Sequence, residues 1–201
     1  MPCASCSGIR ATRRRHRPTD VLDYIPLTAA AGKRRTTAEL RALAVERMRG
    51  LGYPYVGSEC APAGATCRFD VIGLGRYTRQ VRIYEVKSSR ADWLADAKWE
   101  RYLPYCTHFA FVAPAGAIAR WELDRDIGLI EYGHPALERM LANRRFGFTL
   151  QRGDALRASK PSRRLRDAVG DEEWLALVET IAFKRIERCV PDLMFADGAG
   201  I

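Results

Sequence analysis

An α/β fold is the architecture this sequence predicts. Three observations point to it. A length of 201 residues with 47% hydrophobic and 28% charged residues suits one well-packed domain plus an appendage and is too short for two full-sized ones. A helix-period apolar stripe starting near Thr36 is followed by segments in which the period drops to that of strands. A second helical segment then gives way to two short apolar runs, so the order reads αβββαββ.

Residues 1–35 are rich in Arg, Ser, Gly, Ala and Thr, hold no sustained period, and read as a basic flexible arm. Arg13-Arg14-Arg15-His16-Arg17 precedes no long apolar run, so a cytoplasmic protein is expected, with the cysteines at 3, 6, 60, 67, 106 and 189 as reduced thiols. Thr36 or Thr37 can cap a helix whose Leu40, Leu43, Ala44, Met48 and Leu51 share one stripe and which stops at Gly50 or Gly52. Tyr53 to Cys60 and Arg68 to Leu74 read as strands joined by a Pro62-Ala63-Gly64 turn, and Val81 to Ser88 as a third. Ala91 to Tyr105 reads as one helix, with Trp93, Leu94, Ala97 and Tyr102 or Leu103 for packing, and Phe109 to Ala113 and Ile127 to Tyr132 as strands. These elements place the core domain at 36–133. Residues 134–201 read as a basic linker followed by a C-terminal helix, which Asp171 caps and which docks through Trp174, Leu177, Val178 and Ile181. Nothing is long and apolar enough to cross a bilayer, so no membrane partner is expected.

Charge narrows the partners. The 33 Lys and Arg against 24 Asp and Glu leave a formal +9, which suits a polyanion because each cation placed on a phosphate backbone releases counterions. A solvated basic surface would have the same composition, so chemistry at a site has to decide. Glu85 and Lys87 stand two apart on a strand and therefore share a face, while Val86 points away. In so apolar a strand, charges on one face must be paired or bound to a cation. Asp70, on the preceding strand of a hairpin, can fall opposite Glu85. Two adjoining carboxylates repel, and a divalent cation removes that cost while leaving positions for water and a phosphate oxygen. Oxygen ligands suit Mg²⁺ or Mn²⁺, with Asp70, Glu85, the Val86 carbonyl and Glu39 of the first helix as the candidate set. Lys87 can then orient the attacking water or stabilise the developing charge, and the reaction implied is phosphodiester hydrolysis.

The Asp70, Glu85, Lys87 arrangement behind a helix bearing Glu39 resembles the PD-(D/E)xK, or restriction-endonuclease-like, nuclease superfamily. A longer pattern, Arg68-Phe69-Asp70-Val71-Ile72, Glu85-Val86-Lys87-Ser88-Ser89, Asp92-Trp93, Asp96, Lys98-Trp99, Tyr102, Tyr105-Cys106 and Asp126-Ile127-Gly128-Leu129-Ile130, resembles the MmcB-like bacterial DNA repair family over residues 37–133. The resemblance implies an αβββαβ core with a mixed central sheet, a C-terminal helical extension outside it, and a metal-dependent DNA nuclease working in repair. Phe69 stands where the superfamily pattern has Pro. The alternative is a catalytically inactive nucleic-acid-binding module on the same fold. DNA is the expected partner, RNA stays open because no reader of the 2′-hydroxyl stands out, and the oligomeric state is open, a homodimer included.

Other signals carry less. Glu46 and Glu59 compete with Glu39 for the ligand role. Ser89, on the Glu85 and Lys87 face, and Lys98 and Arg101 on the next helix are candidate phosphate contacts, with Arg163 and Arg164 from the basic stretch. Cys3 and Cys6 have half of a zinc spacing that Cys60 and Cys67 complete only loosely, so free thiols are expected. Gly73-Leu74-Gly75 leads into another strand, which argues against a dinucleotide site. His16, His108 and His134 are scattered, and Trp93 reads as core while Trp99 can be core or a base platform.

Overall fold

The structure, a computed structural model, describes residues 36–62, 67–134 and 155–189. The basic arm, the tip of the Pro62-Ala63-Gly64 turn, Cys3, Cys6, His16 and residues 135–154 lie outside the described residues.

Helix α1 (Thr37–Gly50) starts where its chemistry says it should. Thr36 accepts a hydrogen bond from the Glu39 amide through its hydroxyl, and the Glu39 carboxylate takes the Thr36 amide at 2.8 Å, a reciprocal capping box. Strands β1 (Tyr55–Cys60), β2 (Phe69–Leu74) and β3 (Val81–Val86) follow as an antiparallel meander. Helix α2 (Arg90–Ala95) and a 3₁₀ helix (Trp99–Tyr105) carry the chain across to β4 (His108–Pro114), parallel to β3. A short 3₁₀ turn (Arg120–Glu122) precedes β5 (Gly128–Tyr132), again parallel, and β6 (Leu156–Lys160) closes the sheet antiparallel before α3 (Asp171–Cys189). Among the described residues the result is a six-stranded mixed sheet in the order β1-β2-β3-β4-β5-β6.

Alternation along the strands sorts apolar residues to two faces. One face packs Val71, Tyr84, Val86, Ala110, Val112 and Ile130 against Leu40, Leu43, Ala44 and Met48 of α1. The other packs Ile72, Leu74, Val81, Ile83, Phe109, Phe111 and Leu129 against Trp93, Trp99, Tyr102 and the Leu177 and Ile181 stripe of α3. Trp99 stacks on Phe109 with ring centroids 5.6 Å apart, so it belongs to the core rather than to a base platform.

Four features differ from the sequence expectation. The Ala91 to Tyr105 segment is not one helix: α2 ends at Ala95, and Asp96 turns the chain by accepting the Lys98 amide at 2.8 Å, the local bond that makes aspartate a poor helix residue. Strand β3 stops at Val86 rather than Ser88, because Ser89 caps α2 by accepting the Asp92 amide. Leu156–Lys160, within the stretch expected to be a basic linker, is a strand paired with β5. The core therefore does not end at residue 133: β6 and α3 belong to it, Leu177 and Ile181 are buried, and Lys184 donates to the carbonyls of Ser58 and Glu59 on β1.

Candidate active site

The carboxyl end of β3 is where the predicted residues meet. Glu85 and Lys87 emerge on the face covered by the 3₁₀ helix Trp99–Tyr105, and both are buried. The register Val71↔Tyr84, carried one step further, sets Asp70 beside Glu85. Asp70 completes the end of the hairpin by accepting the Val86 amide at 2.9 Å. Phe69, in the place of proline, is fully buried with its ring 5.7 Å from Tyr102 and 5.5 Å from Tyr105, which seats the 3₁₀ helix over this edge. Between them lies a cleft of about 290 Å³ lined by Asp70, Glu85, Cys67, Arg68, Lys98, Arg101 and Tyr102. Carboxylates form its floor, and Arg68, Lys98 and Arg101 are exposed at its rim.

Lys87 is held from two sides, its Nζ 3.0 Å from Glu85 Oε1 and 2.6 Å from Asp96 Oδ2. Burial alone would pull its pKa down, but the hydrogen bond to Asp96 and the charge and hydrogen bond of Glu85 hold it above the ordinary lysine value, so Lys87 is an ammonium donor and not a base. Glu85 moves the other way. Burial first and the Asp70 charge second push its carboxyl up to about 7, against the opposing pull of Lys87. Asp70 is paired in turn with Arg41 of α1, whose Nη2 lies 3.1 Å from Oδ1 and whose Nη1 reaches Glu59 at 3.1 Å. Glu59 adopts φ of 53°, a left-handed backbone that needs local support in a non-glycine residue; the Lys184 bonds to Ser58 and Glu59 supply it.

Does this set suit a divalent cation? Glu85 Oε2 is buried with no hydrogen-bond partner, which leaves a hard oxygen donor unsatisfied in the cleft floor. The linked ion pairs bring the four carboxylates Asp70, Glu85, Asp96 and Glu59 against the three cations Arg41, Lys87 and Arg68, so the cluster carries one excess negative charge when all are ionised. Among the described residues no group of three His, Cys, Asp or Glu side chains forms a cation cage. Mg²⁺ does not require one, since it keeps several waters and binds through one or two carboxylates plus substrate phosphate. The residues fit such an ion.

The other expected site residues divide. Lys98 and Arg101 join the cleft rim. Glu39 does not join it: its carboxylate serves the capping box, and Arg41 is the α1 residue that reaches Asp70. Side chains two apart leave a helix about 200° apart, so one of the pair faces the sheet edge and the other does not. Ser89 caps α2 instead of extending the β3 face. Arg163 and Arg164 lie by the amino ends of β3 and β4: Ser162 binds Arg82, three residues upstream of Glu85, and Leu165 binds Thr107. That is about 10 Å along the strand from the cleft. Val86 contributes its amide to Asp70 and its side chain to the α1 face. Glu46 pairs with Arg49 on the surface. Cys60, Cys67 and Cys106 are buried free thiols. Sequence reasoning missed Arg41, and it gave Asp96, present in the longer family pattern, no role at the site. An aspartate in the middle of a helical segment was the available signal for Asp96; for Arg41 the sequence offers none.

No helix among the described residues is long and apolar enough to cross a membrane. No protein-family model and no curated protein matches the chain. Among solved structures, the chain is similar to a protein of unknown function from Silicibacter pomeroyi, at 23% identity and a TM-score of 0.57, over 83% of this chain and 97% of that one. What the two share at that identity is a fold: a mixed α/β sheet flanked by helices.

Proposed function

We propose that this chain is a Mg²⁺- or Mn²⁺-dependent DNA nuclease with a restriction-endonuclease-like core, hydrolysing phosphodiester bonds in DNA repair. The order α1-β1-β2-β3-α2-β4, with β3 and β4 parallel, supports the core. The observation that carries the chemistry is the cleft in which Asp70 and the unsatisfied Oε2 of Glu85 face a rim of Arg68, Lys98 and Arg101. The repair role rests on the MmcB-like resemblance of the sequence alone.

Asp70 and Glu85, with the Val86 carbonyl between the strand residues, would hold the cation. A bound cation supplies polarisation of the phosphodiester and an acidified water at neutral pH. Lys87, kept protonated by Glu85 and Asp96, donates a hydrogen bond toward the attacking water or the developing phosphorane charge. Arg68, Lys98 and Arg101 bind flanking phosphates and fix the scissile one over the carboxylates. Purified protein with MnCl₂ or MgCl₂ is expected to cut at least one of single-stranded, duplex, flapped or junction DNA, and Asp70→Ala and Glu85→Ala to abolish cutting. A wild type inert on the whole panel removes the reading.

One observation favours the alternative, a binding module without catalysis: Arg41 already neutralises Asp70. That reading expects DNA binding with steep salt dependence, no Mn²⁺ uptake, and no effect of Glu85→Ala.

A further inference from the structure

Three carboxylate residues stand in one row across the sheet. The pairs Ser58↔Val71 and Cys60↔Phe69 set Glu59 beside Asp70, and the register of β2 on β3 sets Asp70 beside Glu85. Arg41 is shared by the first two. Its Nε and Nη2 donate to Asp70 Oδ1 at 3.3 and 3.1 Å, and its Nη1 lies 3.1 Å from Glu59 Oε1. Asp70 Oδ2 is taken by the Val86 amide. Both oxygens of Asp70 are therefore engaged, and a cation gains Oδ1 only where Arg41 gives it up. Glu59 has room to take what Asp70 releases: Arg41 and Arg68 both meet it at Oε1, and its side chain is 42% exposed against 16% for Asp70. Its backbone is left-handed and pinned by Lys184 at the Ser58 and Glu59 carbonyls, and backbone held against its preference gathers at sites where position matters.

A guanidinium kept against Asp70 beside a bound divalent ion would face like charge at a few ångströms, in a partly buried setting where that repulsion is weakly screened. We propose that Arg41 transfers from Asp70 to Glu59 when a divalent cation takes Asp70, so that Arg41 serves as a tethered counter-ion and Glu59 as the carboxylate that receives it. One side chain with two carboxylates to choose from then sets how tightly the cleft holds the ion: binding is weakened by what it costs to move Arg41, and Glu59 lowers that cost. Arg41 and Glu59 act through Asp70 and are positioning residues. The inference rests on the cation of the proposed function and not on cleavage.

The test is a double-mutant cycle read by calorimetry, with Mn²⁺ titrated into the full chain at pH 8 as wild type, Arg41→Gln, Glu59→Gln and the double variant. Arg41→Gln is expected to bind several-fold tighter than wild type. Glu59→Gln is expected to bind about tenfold weaker, because Arg41 then stays on Asp70, and the double variant to fall within about twofold of Arg41→Gln. Equal affinity in Glu59→Gln and wild type would overturn the transfer. So would the same tenfold loss in the Arg41→Gln background, which would make Glu59 a ligand or a bystander charge. A second measurement needs only the wild type to fold: the Arg41 Nε–H resonance in ¹⁵N NMR, assigned by its loss in Arg41→Gln, is expected to move on titration with Mg²⁺, and a resonance unmoved at saturation would overturn the transfer too. No Mn²⁺ uptake by any of the four chains would overturn this inference and the cation together. A chain that shows the cycle yet cuts no DNA keeps the inference and loses the nuclease; one that cuts while the two residues act independently does the reverse.

Discussion

Replacing Glu85 by glutamine should make the fold more stable at alkaline pH than the wild type, and the size of the effect follows from the site. Burial and the Asp70 charge raise the Glu85 carboxyl from 4.5 to about 7. Between those values the folded chain keeps a proton that the unfolded chain has released, so stability falls as pH rises through the window and stays low above it. At about 1.4 kcal/mol per pKa unit the loss approaches about 3 kcal/mol, an upper figure because the cluster can relax. For a domain of this size that corresponds to roughly 6–12 °C in Tm. His108 acts with the opposite sign. Burial, helped by Arg82 and Arg164, lowers its pKa to about 4, so it removes stability as pH falls below its ordinary 6.5. Both proteins contain His108, and the difference between them isolates Glu85. Urea unfolding of wild type and Glu85→Gln at pH 5 and pH 8, followed by far-ultraviolet circular dichroism, measures it. The variant is expected to gain on the wild type as pH rises, and Mg²⁺ at pH 8 to narrow the gap by stabilising only the wild type. Parallel pH–stability curves would refute the buried, proton-hungry state of Glu85 and with it the case for a cation there.

Removing the cation that neutralises Asp70, by Arg41→Gln, should strengthen Mn²⁺ binding several-fold in calorimetry; unchanged affinity would mean that Asp70 is not a ligand. Glu39→Ala and Thr36→Ala should each lower stability by about 1 kcal/mol through the shared capping box, and both should leave any cleavage intact. Loss of cleavage in Glu39→Ala at unchanged stability would restore Glu39 to the site. Gly128→Ala places a methyl 2.8 Å from the Ser162 amide nitrogen and 2.9 Å from the Ala110 Cβ, where β5 passes close to its neighbours. It should cost about 1–3 kcal/mol in denaturant unfolding, and a neutral outcome would contradict the observed packing.

The elements were legible wherever one period holds over a whole segment. The Leu40, Leu43, Ala44 and Met48 stripe specified α1, and alternation specified β3, because side-chain direction in a helix or strand depends on the local backbone alone. The same locality placed Glu85 and Lys87 on one face, and a hairpin brought Asp70 to them. Contacts made across long sequence separation were not legible. Arg41 meets Asp70 over 29 positions, and no periodicity distinguishes it from Glu39, which an equally ordinary capping box removes from the site. The strand at Leu156–Lys160, in which only Leu156 is buried, lacks an alternating signal because it lies at the sheet edge and gains its order from pairing with β5. Asp96 turns the second helix aside and so arrives at Lys87, an outcome that depends on where β3 ends in space. Sequence by itself determined α1, α3, the central strands and the pairing of acid with lysine, since each is a local consequence of side-chain size and backbone geometry. Only the tertiary structure decided which charges neutralise which, because in a buried site that choice is made by distance and desolvation, and neither exists until the chain has folded.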